Sequence, residues 1–205
     1  MPADIYAGDA LLGEEFRKIA AHAGRDFLFA GEDPYDLQFR HYLLSYFGIS
    51  GDHTPLHRYI DPYQPMMVAV TGFNDREMIN ARLLYRYVIS YEPYNFKGHL
   101  DDFPLTMEYG GKVDALRTRY KEYLWDAEFR DHLGAQVLVE GKPYSKYSVF
   151  GRPGASKQAV VVVNPKEDNP LTATVRLEGG KGKLVAVTPE RPTCGSSKLH
   201  LTEKN

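Results

Sequence analysis

At Gly134 the sequence changes texture, and that change constrains the fold more than any single motif does. From Ala135 onward no helical period remains, and short runs rich in Val, Thr and Tyr alternate with turn residues. The runs are 136–140, 144–150, 158–164, 171–177, 183–188 and 198–201, with turns at Gly141-Lys142-Pro143, 151–154, Asn164-Pro165 and 179–182. Residues 135–205 are therefore expected to form a small antiparallel β-domain. Residues 1–134 should form a helix-rich region with a few short parallel strands, giving an α/β plus all-β architecture.

The helical part turns on residues 26–36, Asp26-Phe27-Leu28-Phe29-Ala30-Gly31-Glu32-Asp33-Pro34-Tyr35-Asp36. A short apolar run reads as a buried strand over 27–30, Gly31 permits a close turn, and Asp33-Pro34 reads as N-cap and first residue of a helix. Glu32 then sits where a strand ends and a helix begins, the edge at which α/β folds collect chemistry. From the chemistry alone two roles stay open for it: an ionised nucleophile, or a salt-bridging partner of the helix terminus.

Around this junction the expected order is helix, strand, helix. Leu12, Phe16, Ile19, Ala20 and Ala23 fall at helical spacing, with Glu14, Glu15, Arg17 and Lys18 on the other face. The apolar face is expected to pack, and Gly24 to stop the helix. A largely buried helix is expected over 34–47, alternative short strands at 56–60 and 66–70, and a helix from Asn74 through Tyr91 capped by Asn74 and Glu77. Residues 93–111 read as a polar-aromatic loop, and a last helix carries Val113, Leu116, Tyr120, Tyr123 and Leu124.

Charge and cysteine content exclude several function classes. The 25 basic and 27 acidic residues are well mixed, so nucleic acid and anionic membrane surfaces are not expected partners. Cys194 is the single cysteine, which rules out an internal disulfide and a Cys-rich zinc site. Met1-Pro2-Ala3-Asp4 lacks signal-peptide features and no apolar run is long enough to span a bilayer. The expected location is the cytoplasm, with secretion left open if the chain is a fragment.

No phosphate-cradling glycine motif and no Gly-x-Ser-x-Gly elbow is present, and His53 with His57 has metal-ligand spacing only inside a Gly/Pro-rich stretch. Neither a metal nor another cofactor is expected. What remains is carboxylates among aromatics: Glu32, Asp33, Asp52, Asp61, Asp75, Asp101, Asp102 and Glu108 beside Tyr35, His57, Arg58, Tyr59, Phe73 and Tyr94. Such a set suits glycoside chemistry, in which one acid protonates the leaving oxygen and another attacks C1 or activates water. Each acid taken singly also fits a cap, a turn or a surface charge.

Residues 27–34, His57-Arg58-Tyr59-Ile60-Asp61-Pro62, Val70-Thr71-Gly72-Phe73-Asn74-Asp75-Arg76-Glu77-Met78-Ile79-Asn80 and Ile89-Ser90-Tyr91-Glu92-Pro93-Tyr94-Asn95-Phe96-Lys97-Gly98 resemble the C-terminal part of a bacterial family of inferred glycoside hydrolases with a (β/α)8 catalytic barrel. Val160-Val161-Val162-Val163-Asn164-Pro165 and Val187-Thr188-Pro189-Glu190 are similar to the β-sandwich that follows the barrel in such enzymes. The resemblance implies a partial barrel over 1–134, a β-sandwich over 135–205, a carbohydrate substrate and Glu32 as catalytic carboxylate. It also implies that Asp33, Arg58, Tyr59, Asp75 and Arg76 shape the sugar site. A whole barrel takes about 250 residues, so two or three strands here imply a fragment that self-associates or joins a missing half. The alternative is a carbohydrate-binding or interaction protein without turnover.

Overall fold

The structure, a computed structural model, describes residues 3–24, 29–32, 41–42, 44–47, 56–70, 76–92, 98–164, 170–178 and 185–192. These residues divide into two compact units, one holding 1–69 and 87–90, the other 70–86 and 91–205. The change of texture at Gly134 thus falls inside the second unit, whose helices pack with its strands. The class is mixed α/β, as expected.

In the first unit α1 (Ala3–His22) precedes a four-stranded sheet of β1 (Ala30–Glu32), β2 (Leu44–Phe47), β3 (Met66–Val70) and β4 (Val88–Tyr91), arranged in chain order. The last residues of β3 and β4 belong to the second unit by contact. β1 pairs parallel with β2, Glu32 opposite Tyr46, and β2 pairs parallel with β3, Tyr46 opposite Met67. Met66, Val68 and Val70 are buried in alternation along β3, the period that one inward face requires. Between β2 and β3 lies the short helix α2 (Leu56–Ile60).

Several expectations change here. Leu44–Phe47 is a strand and not the end of a helix, and residues 33–40 lie outside the described residues. Leu56–Ile60 is helical, which leaves Met66–Val70 as the ladder strand. The helix expected through Tyr91 is α3 (Glu77–Leu83) followed by β4, because Arg86 takes φ 56° and breaks the helical path before the β-branched Val88 and Ile89. Its expected cap, Asn74, is outside the described residues.

α1 forms as the spacing predicts but buries a different face. Ala10, Gly13 and Ala20 are buried, while Leu12, Phe16 and Ile19 stay 50, 40 and 63% exposed. Small residues make the inward face because the chain approaches closely there; a Cβ on Gly13 would lie 3.0 Å from that of His41.

In the second unit the expected loop over 93–111 is largely helix. The Asp102 carboxylate accepts the His99 backbone N–H at 3.0 Å, and α4 (Pro104–Arg119) starts on Pro104, whose missing N–H costs nothing at a first turn. α4 buries Thr106, Tyr109, Gly110, Val113, Leu116 and Arg117, a single helical face. A short α5 (Lys121–Leu124) then contacts the strands Tyr147–Gly151 and Gln158–Val162.

Six strands follow in two antiparallel sheets. β5 (Glu128–Phe129), β8 (Tyr147–Gly151) and β9 (Gln158–Val162) form one in the order β5-β8-β9; β6 (Ala135–Val139), β7 (Lys142–Pro143) and β10 (Ala173–Leu177) form the other in the order β10-β6-β7. The hairpin between β6 and β7 turns on Glu140 and Gly141, both at positive φ, with Val139 opposite Lys142. This is a two-residue turn of the type that suits strand twist, so Lys142-Pro143 is strand and not turn. β8 is buried throughout. Tyr147 and Val149 join Ala135, Val137 and Val175 in one cluster, whereas Phe150 packs with Ala127, Phe129 and Tyr85 in another. The expected strand at 198–201 lies outside the described residues, whereas that at 183–188 does not form over its described part: 185–187 are irregular and Thr188 makes only an isolated bridge to Arg191.

Two adjacent glycines of α4 test this packing. A Cβ on Gly110 would overlap the Tyr91 hydroxyl and lie 2.6 Å from its Cζ, whereas one on Gly111 meets nothing within 4 Å. Gly110→Ala should lower stability by about 1–3 kcal/mol through overpacking. Gly111→Ala should raise it by up to about 1 kcal/mol through helix propensity. Urea midpoints of the two variants check both signs.

Candidate functional site

Glu32 closes β1. Its backbone is fixed by the parallel pairing with Tyr46 of β2, and its side chain is exposed at the carboxyl end of the strand. Neighbouring Gly31 is required by close approach, since a Cβ there would lie 3.1 Å from the Tyr42 ring. The Asp33-Pro34 helix start lies outside the described residues, as do Tyr35, Asp52, Phe73, Asp75 and Tyr94. β1 is the outer strand of its sheet, so one side of the strand that carries Glu32 faces no further strand among the described residues.

Arg58 belongs to the same unit but to its interior. Its relative exposure is 0%, its Nη1 donates to the Gln64 carbonyl at 2.7 Å, and its guanidinium lies 5.9 Å from the Tyr87 ring centroid. Gln64 Nε2 in turn donates to the Tyr42 carbonyl at 2.7 Å. A side chain with no surface cannot line an open sugar site, so the substrate-binding role expected for Arg58 gives way to a structural one. Its neighbour Tyr59 is 48% exposed on α2, and Tyr63 is 49% exposed just beyond it. His57 Nε2 lies 3.5 Å from the Tyr87 hydroxyl.

Three further acids, Asp61, Asp102 and Glu108, make local contacts. Asp61 Oδ1 accepts the backbone N–H groups of Tyr63 and Gln64, each at 3.0 Å, closing the turn that leads into β3. Asp102 caps the turn at His99, and Glu108 pairs with Lys112 at 2.6 Å on the exposed side of α4. The Lys112 ammonium holds the Glu108 carboxyl below its ordinary value.

Arg76 belongs to the second unit. Its guanidinium stands 4.9 Å from the Tyr109 ring centroid and its Nη1 is 3.2 Å from Glu190 Oε1, while the Tyr109 hydroxyl donates to Asn80 Oδ1 at 2.6 Å. The pattern is a half-exposed cation held over an aromatic face by an acid.

The most perturbed groups are ones that residue patterning did not single out. Arg117 is 1% exposed, and burial pulls its guanidinium down to about 10 against the opposing pull of Asp114. Its two terminal nitrogens make no hydrogen bond; the group stacks 3.5 Å from the Trp125 ring centroid. Burial also pushes the Tyr91 phenol up to about 12, with Asp114 adding to the shift and Arg117 opposing it. These groups lie along the inward side of α4, and the signal available in the sequence was the helical spacing of Tyr109, Val113 and Leu116 with Arg117. A cavity of about 50 Å³ is lined there by Leu83, Leu116, Leu124, Phe150 and Val161 with the arginines Arg86 and Arg117. Ligand pockets run to several hundred Å³, so this space belongs to packing.

No group of three His, Cys, Asp or Glu side chains among the described residues is arranged to hold a metal ion. No described helix is long and apolar enough to cross a membrane. Comparison of the chain with models of known families, with curated proteins and with solved structures finds no match.

Arg58 gives a direct check on this description. Arg58→Ala should lower stability by about 2–4 kcal/mol, because it removes a charged hydrogen bond and the packing of the stem together. An unchanged urea midpoint would place Arg58 outside the core.

Proposed function

We propose that the chain is a glycoside hydrolase, or the part of one that bears a catalytic carboxylate, with Glu32 as that carboxylate. The observation that supports this most is the place of Glu32: last residue of a strand in parallel pairing, exposed, at the carboxyl end where α/β sheets present their reacting groups. The sheet β1-β2-β3-β4 in chain order is read as part of a (β/α) barrel, and the two antiparallel sheets sharing one apolar cluster as a β-sandwich. In the reaction Glu32 attacks C1 or activates water, and a second carboxyl group protonates the leaving oxygen. That second acid is supplied by chain pairing with the outer edge of β1. Of the residues that the resemblance implies around the sugar, Tyr59 is exposed in the unit that carries Glu32, Arg76 belongs to the other unit, and Asp33 and Asp75 lie outside the described residues.

A second reading, carbohydrate binding without turnover, draws on the exposed rings of Tyr59 and Tyr63, since flat amphipathic rings are platforms for sugars. Turnover of aryl-glycosides and oligosaccharides, measured beside glycan binding, separates the two.

Glu32→Gln should keep the fold and lower turnover at least about 10³-fold, because the amide keeps the shape but neither attacks C1 nor carries negative charge. Glu14→Gln on exposed α1 should leave turnover unchanged and serves as the control. Activity retained within a few-fold, or a lowered melting temperature as the main effect, would make Glu32 structural.

A further inference from the structure

Beyond β10 the chain meets the helices of the second unit as a short strap, residues 185–192. Among the described residues its backbone N–H groups bond only within the strap: Thr188 and Arg191 exchange N–H···O=C bonds, each at 3.0 Å, and Thr188 Oγ1 also accepts the Arg191 N–H. Two polar contacts attach it to the helices there. Glu190 Oε1 lies 3.2 Å from Arg76 Nη1, just ahead of α3, with the two side chains 42 and 36% exposed, and the Tyr120 hydroxyl donates to the Pro192 carbonyl at 3.0 Å, just past α4. None of residues 185–192 is buried. A segment folded on itself and attached by one half-exposed ion pair and one hydrogen bond opens at low cost and as a unit.

The surroundings of Arg76 keep it in place when Glu190 leaves. Its guanidinium stands 4.9 Å from the ring centroid of Tyr109, which is 7% exposed and fixed through its hydroxyl to Asn80 Oδ1 at 2.6 Å. Glu108, whose carboxyl also feels Arg76, is engaged by Lys112 at 2.6 Å. Glu190 itself reaches Arg76 through one oxygen at 3.2 Å, beyond the roughly 2.8 Å of a well-formed charged hydrogen bond. A carboxylate not tied to a strap can close that distance and set both oxygens on the planar guanidinium. We propose that residues 185–192 are a strap that opens as a unit, latched by the Arg76–Glu190 pair, and that the carboxylate of a ligand takes the place of Glu190 on Arg76. An acidic sugar as that ligand rests on the glycosidase reading; the strap and its latch do not.

The experiment is modification of the full chain by phenylglyoxal, which reacts with accessible guanidinium groups, followed at each arginine by peptide mass spectrometry with exposed Arg119 as the internal reference. Raising sodium chloride to about 0.5 M screens the latch and should speed modification of Arg76 about 2- to 5-fold, as should Glu190→Gln at low salt. Tyr120→Phe removes only the other attachment and should speed Arg76 by about the same factor, because the strap moves as one body. In Glu190→Gln, sodium acetate or sodium glucuronate at about 0.1 M should slow Arg76 at least about 3-fold relative to sodium chloride of equal ionic strength, and glucose should not. A rate at Arg76 that Glu190→Gln leaves unchanged overturns the latch, and one that Tyr120→Phe leaves unchanged overturns the strap. Slowing by chloride equal to that by acetate overturns the carboxylate site, and slowing by acetate but not by glucuronate overturns the acidic sugar. The readout is the guanidinium and not turnover, so the role of Glu32 stands or falls separately.

Discussion

The first unit depends on a buried guanidinium. Parallel strands cannot be joined by tight turns, so the chain from β2 to β3 must leave the sheet and return in register. Arg58 sits on the helical turn of that return path and donates to the Gln64 carbonyl; the Gln64 amide then donates to the Tyr42 carbonyl shortly before β2. One charged side chain and one amide thereby connect the crossover helix, the entry to β3 and the entry to β2. Burying an arginine is costly unless its hydrogens are used, and the carbonyl acceptor with the adjacent Tyr87 ring lowers that cost. The link holds the entry to β2, along which β1 pairs in parallel from Ala30 opposite Leu44 to Glu32 opposite Tyr46.

How much of this could be read from the sequence depended on whether local and tertiary signals agreed. Pro104 and the spacing of Tyr109, Val113 and Leu116 were helix signals in plain view, yet the aromatic and acidic content of 93–111 outweighed them. The stretch from Ile79 to Tyr91 fits a 3.6-residue period by coincidence, and only the left-handed Arg86 separates a helix from a strand there. Val88-Ile89 was the sequence's own indication of β-structure. Beyond Gly134, where alternation and turn residues agree, the strands fall within a few residues of the expected ones; the hairpin shifted because a two-residue turn needs its glycine second. Near Glu32 a strand was legible but its bounds were not: in place of a strand over 27–30 turning at Gly31, the strand is Ala30–Glu32, with Gly31 inside it and Phe29 outside. Arg58 was not, because a patterning argument places every arginine outside.

α1 shows the same limit from the opposite side. Its period is real, but periodicity says only that two faces differ and not which neighbour each face meets. In the single chain Gly13 comes close to His41, Ala10 and Ala20 are buried, and Phe16 of the larger row stacks on Phe29, their ring centroids 6.1 Å apart.

The catalytic role proposed for Glu32 would set a further physical demand. An exposed carboxylate in water is solvated on all sides, and its negative charge is screened where a catalytic one must act in a dry site. Among the described residues β1 is the outer strand, so a chain pairing with that edge would remove water from the carboxylate's side and bring donors toward it in the same step.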